Sequence, residues 1–365
     1  MSQARRIFFF PLSFVFGIIT ALRNALYDWG ILQSHTFREH LICVGNLSVG
    51  GTGKSPHIEY LILLLKDQFE VATLSRGYKR KTRGYMVAFA ENTAEELGDE
   101  PKQFKIKFPG ITVAVDANRL RGIKKLLQQK PKPEIILLDD GFQHRRVKAG
   151  LNILLTDFNQ LYVNDGMLPG GHLREYASNS ARADVIIITR TPERITNLDL
   201  KVYSKEINLL PHQKLFFSWI KYGSLYYFSD KDFKIDIPQE LFKFNVLVFT
   251  GIANPKHLTT FVKEYANTMT HKSFGDHHHF SVDELLQLRK EFNNIPGENK
   301  LLITTEKDFT RLEKPELLDA LTGLPLFILP IEIDFKNKTD EFNDTILRFA
   351  RANPIHHKKY YPADQ

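Results

Sequence analysis

Cysteine is nearly absent. Cys43 is the only one in 365 residues. This excludes an intrachain disulfide framework and a Cys-based zinc or iron–sulfur site, and it points to a reducing compartment. No internal repeat and no low-complexity tract is present, so solenoid and linker-rich architectures are excluded. Acid is outnumbered by base, with 42 Asp and Glu against 49 Lys and Arg, a net charge of +7. That balance favours an anionic partner: phosphate, nucleic acid or an acidic membrane surface. Apolar residues make up 43% and charged residues 25%, which excludes wholesale disorder and leaves enough chain for two domains.

Charge is also missing from residues 7–22, IFFFPLSFVFGIITAL. The run falls short of the roughly 20 residues needed to span a bilayer. Arg5, Arg6 and Arg23 flank it, and Tyr27 and Trp29 follow. Basic flanks around an aromatic-rich apolar centre predict a helix over 1–29 that lies in a membrane interface or dips into one leaflet. A cleaved signal peptide is disfavoured because no small-x-small site precedes the polar stretch.

Short apolar, β-branched runs alternate with helical spacing thereafter. Strands are predicted at 41–45, 71–75, 86–89, 112–115, 135–138, 152–156 and 185–189, with helices at 54–66 and 118–129. This is the signature of an α/β fold, a mostly parallel sheet with helices on both faces. The pattern changes near residue 214. Residues 215–220 and 225–228 read as a β-hairpin through Lys221-Tyr222-Gly223-Ser224. A second strand–helix series begins at 245, and 326–333 is a last strand that could return to the hairpin. The expected organisation is a P-loop core over 30–213, a β-ribbon linker over 214–230, a smaller α/β domain over 231–350 and a tail over 351–365.

Two motifs carry chemistry. Gly45 to Ser55 reads GNLSVGGTGKS, a P-loop whose first pattern position is Ser48 instead of Gly. Gly50, Gly51, Thr52 and Gly53 let backbone N–H groups approach phosphate. Lys54 can reach the β- and γ-phosphates, and the Ser55 hydroxyl can ligate Mg²⁺. The run IILLDD (135–140) ends a strand in Asp139 and Asp140, the arrangement that brings a carboxylate to P-loop-bound metal. These motifs alone leave three readings open: a kinase, a GTPase or metallochaperone-type ATPase using the histidines at 277–279, and a nucleotide-gated membrane adaptor. Guanine specificity predicts an N-K-x-D segment, and none is present; Thr305-Glu306-Lys307-Asp308 is the nearest imitation.

Further segments make the comparison specific: LSRGYKRK (74–81), GDEP (98–101), DDGFQH (139–144), HLRE (172–175), FTGIANP (249–255), DHH (276–278) and TTEKD (304–308). With GNLSVGGTGKSP (45–56), the chain resembles the tetraacyldisaccharide 4′-kinases, the lipid A 4′-kinases of Gram-negative bacteria. It departs from the family pattern in having Ser55 for Thr, His172 and Tyr176 for Pro, and Ala117-Asn118-Arg119 for an Asp-Arg pair.

The resemblance implies transfer of the ATP γ-phosphate to the 4′-hydroxyl of a tetraacylated glucosamine disaccharide 1-phosphate. It implies Mg²⁺ dependence and peripheral or monotopic attachment to the cytoplasmic face of the inner membrane. Asp99 is then the base, paired with His277 from the second domain. Arg119 and Arg174 stabilise transferring charge, and Ser55, Asp139, Asp140 and Glu175 hold metal. Asn46, Arg76, Gln143 and His144 bind the acceptor. The basic loop with Arg76, Lys79, Arg80, Lys81 and Arg83 faces the substrate 1-phosphate or anionic head groups. Tyr78 and Tyr85 interleave with it, but no nucleic-acid motif accompanies them, so nucleic acid is not an expected partner. No obligate protein partner is readable.

Overall fold

Strands buried along their whole length read as unbroken apolar runs, because a parallel sheet is covered on both faces. The computed structural model describes residues 3–312 and 314–352, with side chains from Phe8 onward. Its first sheet has eight strands: β1 (His40–Asn46), β2 (Val71–Ser75), β3 (Met86–Val87), β4 (Thr112–Val115), β5 (Ile135–Asp139), β6 (Leu151–Asp157), β7 (Val185–Thr189) and β8 (Lys214–Phe217). Their spatial order is β3-β4-β2-β5-β1-β6-β7-β8. Only the β3–β4 pair is antiparallel. β3 is shorter than the predicted 86–89 and half-buried, as suits an edge with one partner.

Ile58, Leu61 and Leu65 of the helix Lys54–Leu65 and Phe104 of the helix Asp99–Lys107 fill one face of this sheet. Ile123 and Leu126 of the helix Arg119–Leu126 fill the other.

The chain then enters a second body through β9 (Trp219–Tyr222), followed by β10 (Leu225–Tyr227), β11 (Asp230–Ile235), β12 (Asn245–Thr250), β13 (Thr268–Ser273), β14 (Lys300–Thr305), β15 (Leu326–Leu329) and β16 (Ile331–Asp334). Six of these form a mixed sheet ordered β11-β10-β15-β14-β12-β13, with its own apolar clusters.

Three expectations about the boundary are corrected. Residues 215–220 are not one strand. Ser218 divides them, β8 pairs parallel with β7 in the first sheet, and β9 leaves. Nor is 214–230 a hairpin closed on itself. β9 pairs antiparallel with the returning β16, while β10 pairs with β11 and β15. Pro330 separates β15 from β16, because a residue without an N–H interrupts a ladder. The connection is thus a two-stranded ribbon of one outgoing and one incoming segment.

Third, the second body does not extend to residue 350. The helix Thr339–Arg351 returns to the first sheet, where Phe342, Ile346 and Ala350 join its core. Phe342 stacks on Phe335 at 4.0 Å, and Tyr60 donates to Asn343 at 2.7 Å. The helix is strongly amphipathic, so its apolar stripe needs a sheet face, and the first sheet supplies it. Most of the expected tail, 351–365, lies outside the described residues.

The helix Gln3–Asp28 sits against the first body by a narrow face of small and polar residues. Ser13 accepts from the Gly170 amide at 2.9 Å, and Gly17 lies against the Tyr176 hydroxyl. Asn24 donates to Glu175 at 2.8 Å and to Asn179 at 3.2 Å. Phe8, Phe10, Leu12, Phe14, Ile18, Ile19 and Leu22 remain exposed, and the segment Phe8–Asp28 is long and apolar enough to cross a membrane.

Candidate active site

Parallel strands deliver their C-terminal ends to one edge, where open α/β sheets bind ligands. β1 ends at Asn46, the loop follows, and Gly53 at φ +82° caps the helix Lys54–Leu65 in a left-handed conformation suited to glycine. Asn46 is fully buried. Its amide donates to Thr52 Oγ1 at 2.9 Å, and its oxygen accepts from Lys54 and Arg174. The expected acceptor contact is therefore corrected: Asn46 braces the loop from below.

The HLRE segment braces it from the side. Val49 N donates to His172 O at 2.8 Å, and Arg174 N to Leu47 O at 2.7 Å. His172 contributes a carbonyl here, which any residue supplies. Arg190 reaches the Gly51 carbonyl and pairs with Asp157 at 2.6 Å, a support that no sequence motif signalled.

Asp139 and Asp140 are neighbours with opposite electrostatics. Burial works against charge on Asp140, but Lys54 at 3.6 Å and Arg174 at 3.0 Å overcome it and hold the carboxyl at about 2. Burial pushes Asp139 up to about 6, with the Glu100 and Asp140 charges adding to it and Lys54 and Arg119 opposing. No hydrogen bond from a described residue relieves Asp139. A buried carboxylate short of positive charge fits a divalent cation. Mg²⁺ keeps water and phosphate oxygens and needs only one or two protein carboxylates. Asp139 with the Ser55 hydroxyl meets that requirement. Asp140 is already engaged by two cations. Among the described residues no group of three or more His, Cys, Asp or Glu could hold a metal, and His278 is spent on Glu284 at 3.0 Å.

Two other expectations are corrected. Arg119 is buried, and its guanidinium donates to the carbonyls of Asp116 at 2.7 Å and Asp139 at 2.9 Å. These bonds lock two strand ends, and its Nε is left without a partner. Glu175 is buried, and its Oε2 accepts from Arg182 at 2.6 Å and from Asn24, which ties it to the N-terminal helix, while Oε1 has no partner. Successive residues point apart here: the Arg174 side chain goes to Asp140, that of Glu175 away from it.

Gln143 donates to Asn46 O at 2.8 Å and leaves its own oxygen unpartnered. His144 has a buried, unpartnered Nε2. Burial, then the charges of Arg119, Arg23, Arg146 and Arg76, push it down to about 4. Arg76 itself is exposed.

A contact between the two bodies meets at Asp99. Gly98, at φ +94°, starts the helix Asp99–Lys107, and a side chain there would press on the Tyr78 carbonyl and the Gly77 backbone. The following residue, Asp99, receives His277 Nδ1 at 2.7 Å from the second body. Arg311 Nη2 reaches the same oxygen at 2.7 Å. Burial opposes ionisation of Asp99, but His277 and Arg311 together hold its carboxyl well below the usual range. The sequence indicated Asp99 and His277 and gave no sign of Arg311, which lies 212 residues from Asp99 and in no motif.

The family model for tetraacyldisaccharide-1-P 4′-kinase matches residues 5–351. The chain belongs to this family. A tetraacyldisaccharide 4′-kinase of Bacteroides thetaiotaomicron is 46% identical over 354 residues, covering 94% of this chain and 93% of the relative. One from Flavobacterium johnsoniae is 43% identical over 353 residues, covering 97% and 99%. Among solved structures, LpxK of Aquifex aeolicus in complex with ATP matches with a TM-score of 0.72 at 28% identity, over 94% of this chain and 99% of that one.

Proposed function

We propose that this chain transfers the γ-phosphate of ATP to the 4′-hydroxyl of a tetraacylated glucosamine disaccharide 1-phosphate, a late step of lipid A biosynthesis. The observation that carries the reading is the meeting of Asp99 and His277 across two bodies, beside a braced P-loop. Phosphoryl transfer needs positioning and charge neutralisation more than covalent chemistry. Loop amides and Lys54 bind the phosphates, with Asp140 and Arg174 orienting Lys54. Asp139 and Ser55 would hold Mg²⁺, which would supply neutralisation of charge on the phosphate oxygens. Asp99 and His277 take the proton of the acceptor hydroxyl as its oxygen attacks phosphorus and ADP departs. Arg76, Gln143 and His144 bind the acceptor, with the basic side chains near His144 turned to its 1-phosphate.

The acceptor is a lipid, and the exposed apolar face of the helix Gln3–Asp28 supports work at the cytoplasmic face of the inner membrane. Arg23 links this helix to the Gln143 carbonyl at 3.1 Å, so the membrane-facing element touches the proposed acceptor site. The test is phosphate transfer from ATP and Mg²⁺ to tetraacyldisaccharide 1-phosphate in detergent, read by mass spectrometry. One phosphate gained with the wild type and lost with Lys54→Ala supports the reading. ATP binding without product overturns it in favour of a nucleotide-gated adaptor.

A further inference from the structure

We infer that Arg311 is a positioning residue for the reaction, holding Asp99 in working geometry across the interface between the two bodies. The inference rests on the proposed role of Asp99 and His277. The Arg311 side chain is 1% exposed, and all its contacts converge on that junction. Nε and Nη2 donate to Asp99 Oδ2 at 3.1 and 2.7 Å. Nη1 donates to the Gly251 carbonyl at 3.0 Å and to Asp308 Oδ1 at 2.9 Å. Asp308 is itself fixed by the Thr305 hydroxyl at 2.8 Å. Gly251 O also accepts the His277 amide at 3.1 Å, so one carbonyl sets both partners of Asp99. His277 adopts φ +59°, a left-handed conformation that costs a non-glycine residue energy and that the surrounding contacts hold in place.

A planar fork anchored on one body and aimed at a carboxylate on the other fixes direction as well as distance. Both fork donors and His277 Nδ1 use Oδ2 of Asp99, which sets the carboxylate's orientation and leaves Oδ1 outside this set. The other charges facing the junction are Glu100 with Lys307 at 3.6 Å, Asp276 at 3.9 Å from His277 Nε2, and Asp308. Of these, Lys307 is occupied by Glu100, so Arg311 is the cation that fixes Asp99. Without it, Asp99 loses its main opposing charge and takes up a proton at higher pH.

The test compares Arg311→Gln, Arg311→Lys, Asp99→Asn and the Asp99→Asn/Arg311→Gln pair in the full chain, with folding checked by circular dichroism. Arg311→Gln should lower kcat about 100-fold while KM for ATP changes less than about threefold. Its acid limb should move to higher pH. Arg311→Lys, which keeps one charged donor, should recover part of kcat and of the pH profile. The double variant should be no slower than Asp99→Asn alone, because the two act as a unit. Arg311→Gln with wild-type kcat, or additive losses with an unmoved acid limb, overturns the inference. If Arg311→Gln does not fold, an Arg311→Lys enzyme with an unmoved acid limb and unchanged kcat overturns it. Full kcat in Asp99→Asn is a separate outcome: it removes the proposed role of the Asp99–His277 pair and the inference with it.

Discussion

His57 shows how burial converts into a pH dependence at one residue. It lies on the helix after the P-loop, with Nδ1 2.7 Å from Gly53 O and Nε2 2.9 Å from Ser218 Oγ. Burial pushes it down to about 4 from an ordinary value near 6.5. The folded state therefore binds fewer protons than the unfolded state as pH falls through this window. Stability is lost on acidification from about 6.5 towards 4. Between pH 7 and pH 5 the wild type should lose about 2 kcal/mol more than His57→Gln, measured by urea unfolding at both values. Equal losses would show that His57 titrates freely. At the chemical end of the same helix, Lys54→Ala should abolish most transfer and leave the unfolding midpoint within a few degrees. Asp99→Ala should lower kcat by about 100-fold or more with little change in ATP affinity, read by single-turnover kinetics and nucleotide titration.

The placement of residues was legible where the motif itself dictates geometry. Lys54 and Ser55 follow a glycine-rich turn, and Asp139 ends a strand, so backbone direction alone brings them to one edge. The family resemblance marks Asn46, Arg119 and Glu175 as site groups. Their buried partners, Thr52, two carbonyls and Arg182, belong to other segments and leave no local signal. Arg311 was illegible for the same reason.

Elements were read well where strands are central. The bounds of β2, β4 and β7 match the apolar runs, because burial on both faces demands uninterrupted hydrophobicity. The misreading came at 214–230, where three short strands serve three different sheets. Hydrophobic alternation marks a strand and says nothing of its partner. The helix Thr339–Arg351 shows the energetic weight of such a partner. Phe342 is 1% exposed and packs against Tyr60, Phe216 and Phe335. Phe342→Ala should destabilise the first body by about 3–5 kcal/mol, seen as a lower unfolding midpoint. A loss below about 1 kcal/mol would place that helix outside the cooperative core.

At the scale of the whole molecule, the N-terminal helix presents two unlike faces. Ser13, Gly17 and Asn24 dock it, while Phe8, Phe10, Phe14 and Ile18 face outward. Replacing those four by Ser should abolish sedimentation with anionic vesicles and preserve kcat on detergent-dispersed acceptor. Removing residues 1–29 should also release the protein, but it strips Asn24 from Glu175 and Arg23 from Gln143, so it tests anchor and site together. Retained vesicle binding by the four-Ser variant would refute the anchor.

The ribbon of β9 and β16 has a consequence for biosynthesis. The second body is an insertion whose two ends lie side by side, and the first body's last core segment follows it in the chain. During synthesis, the apolar N-terminal helix emerges before the inserted body, and Phe342, Ile346 and Ala350 emerge after it. The inserted body holds all six strands of its own sheet by Leu329, so it can finish folding on the ribosome while the P-loop body still waits for its closing helix. Nucleotide binding should therefore be a late acquisition of the nascent chain, arising only after the rest of the protein has taken shape and its greasy leader has had time to find a bilayer.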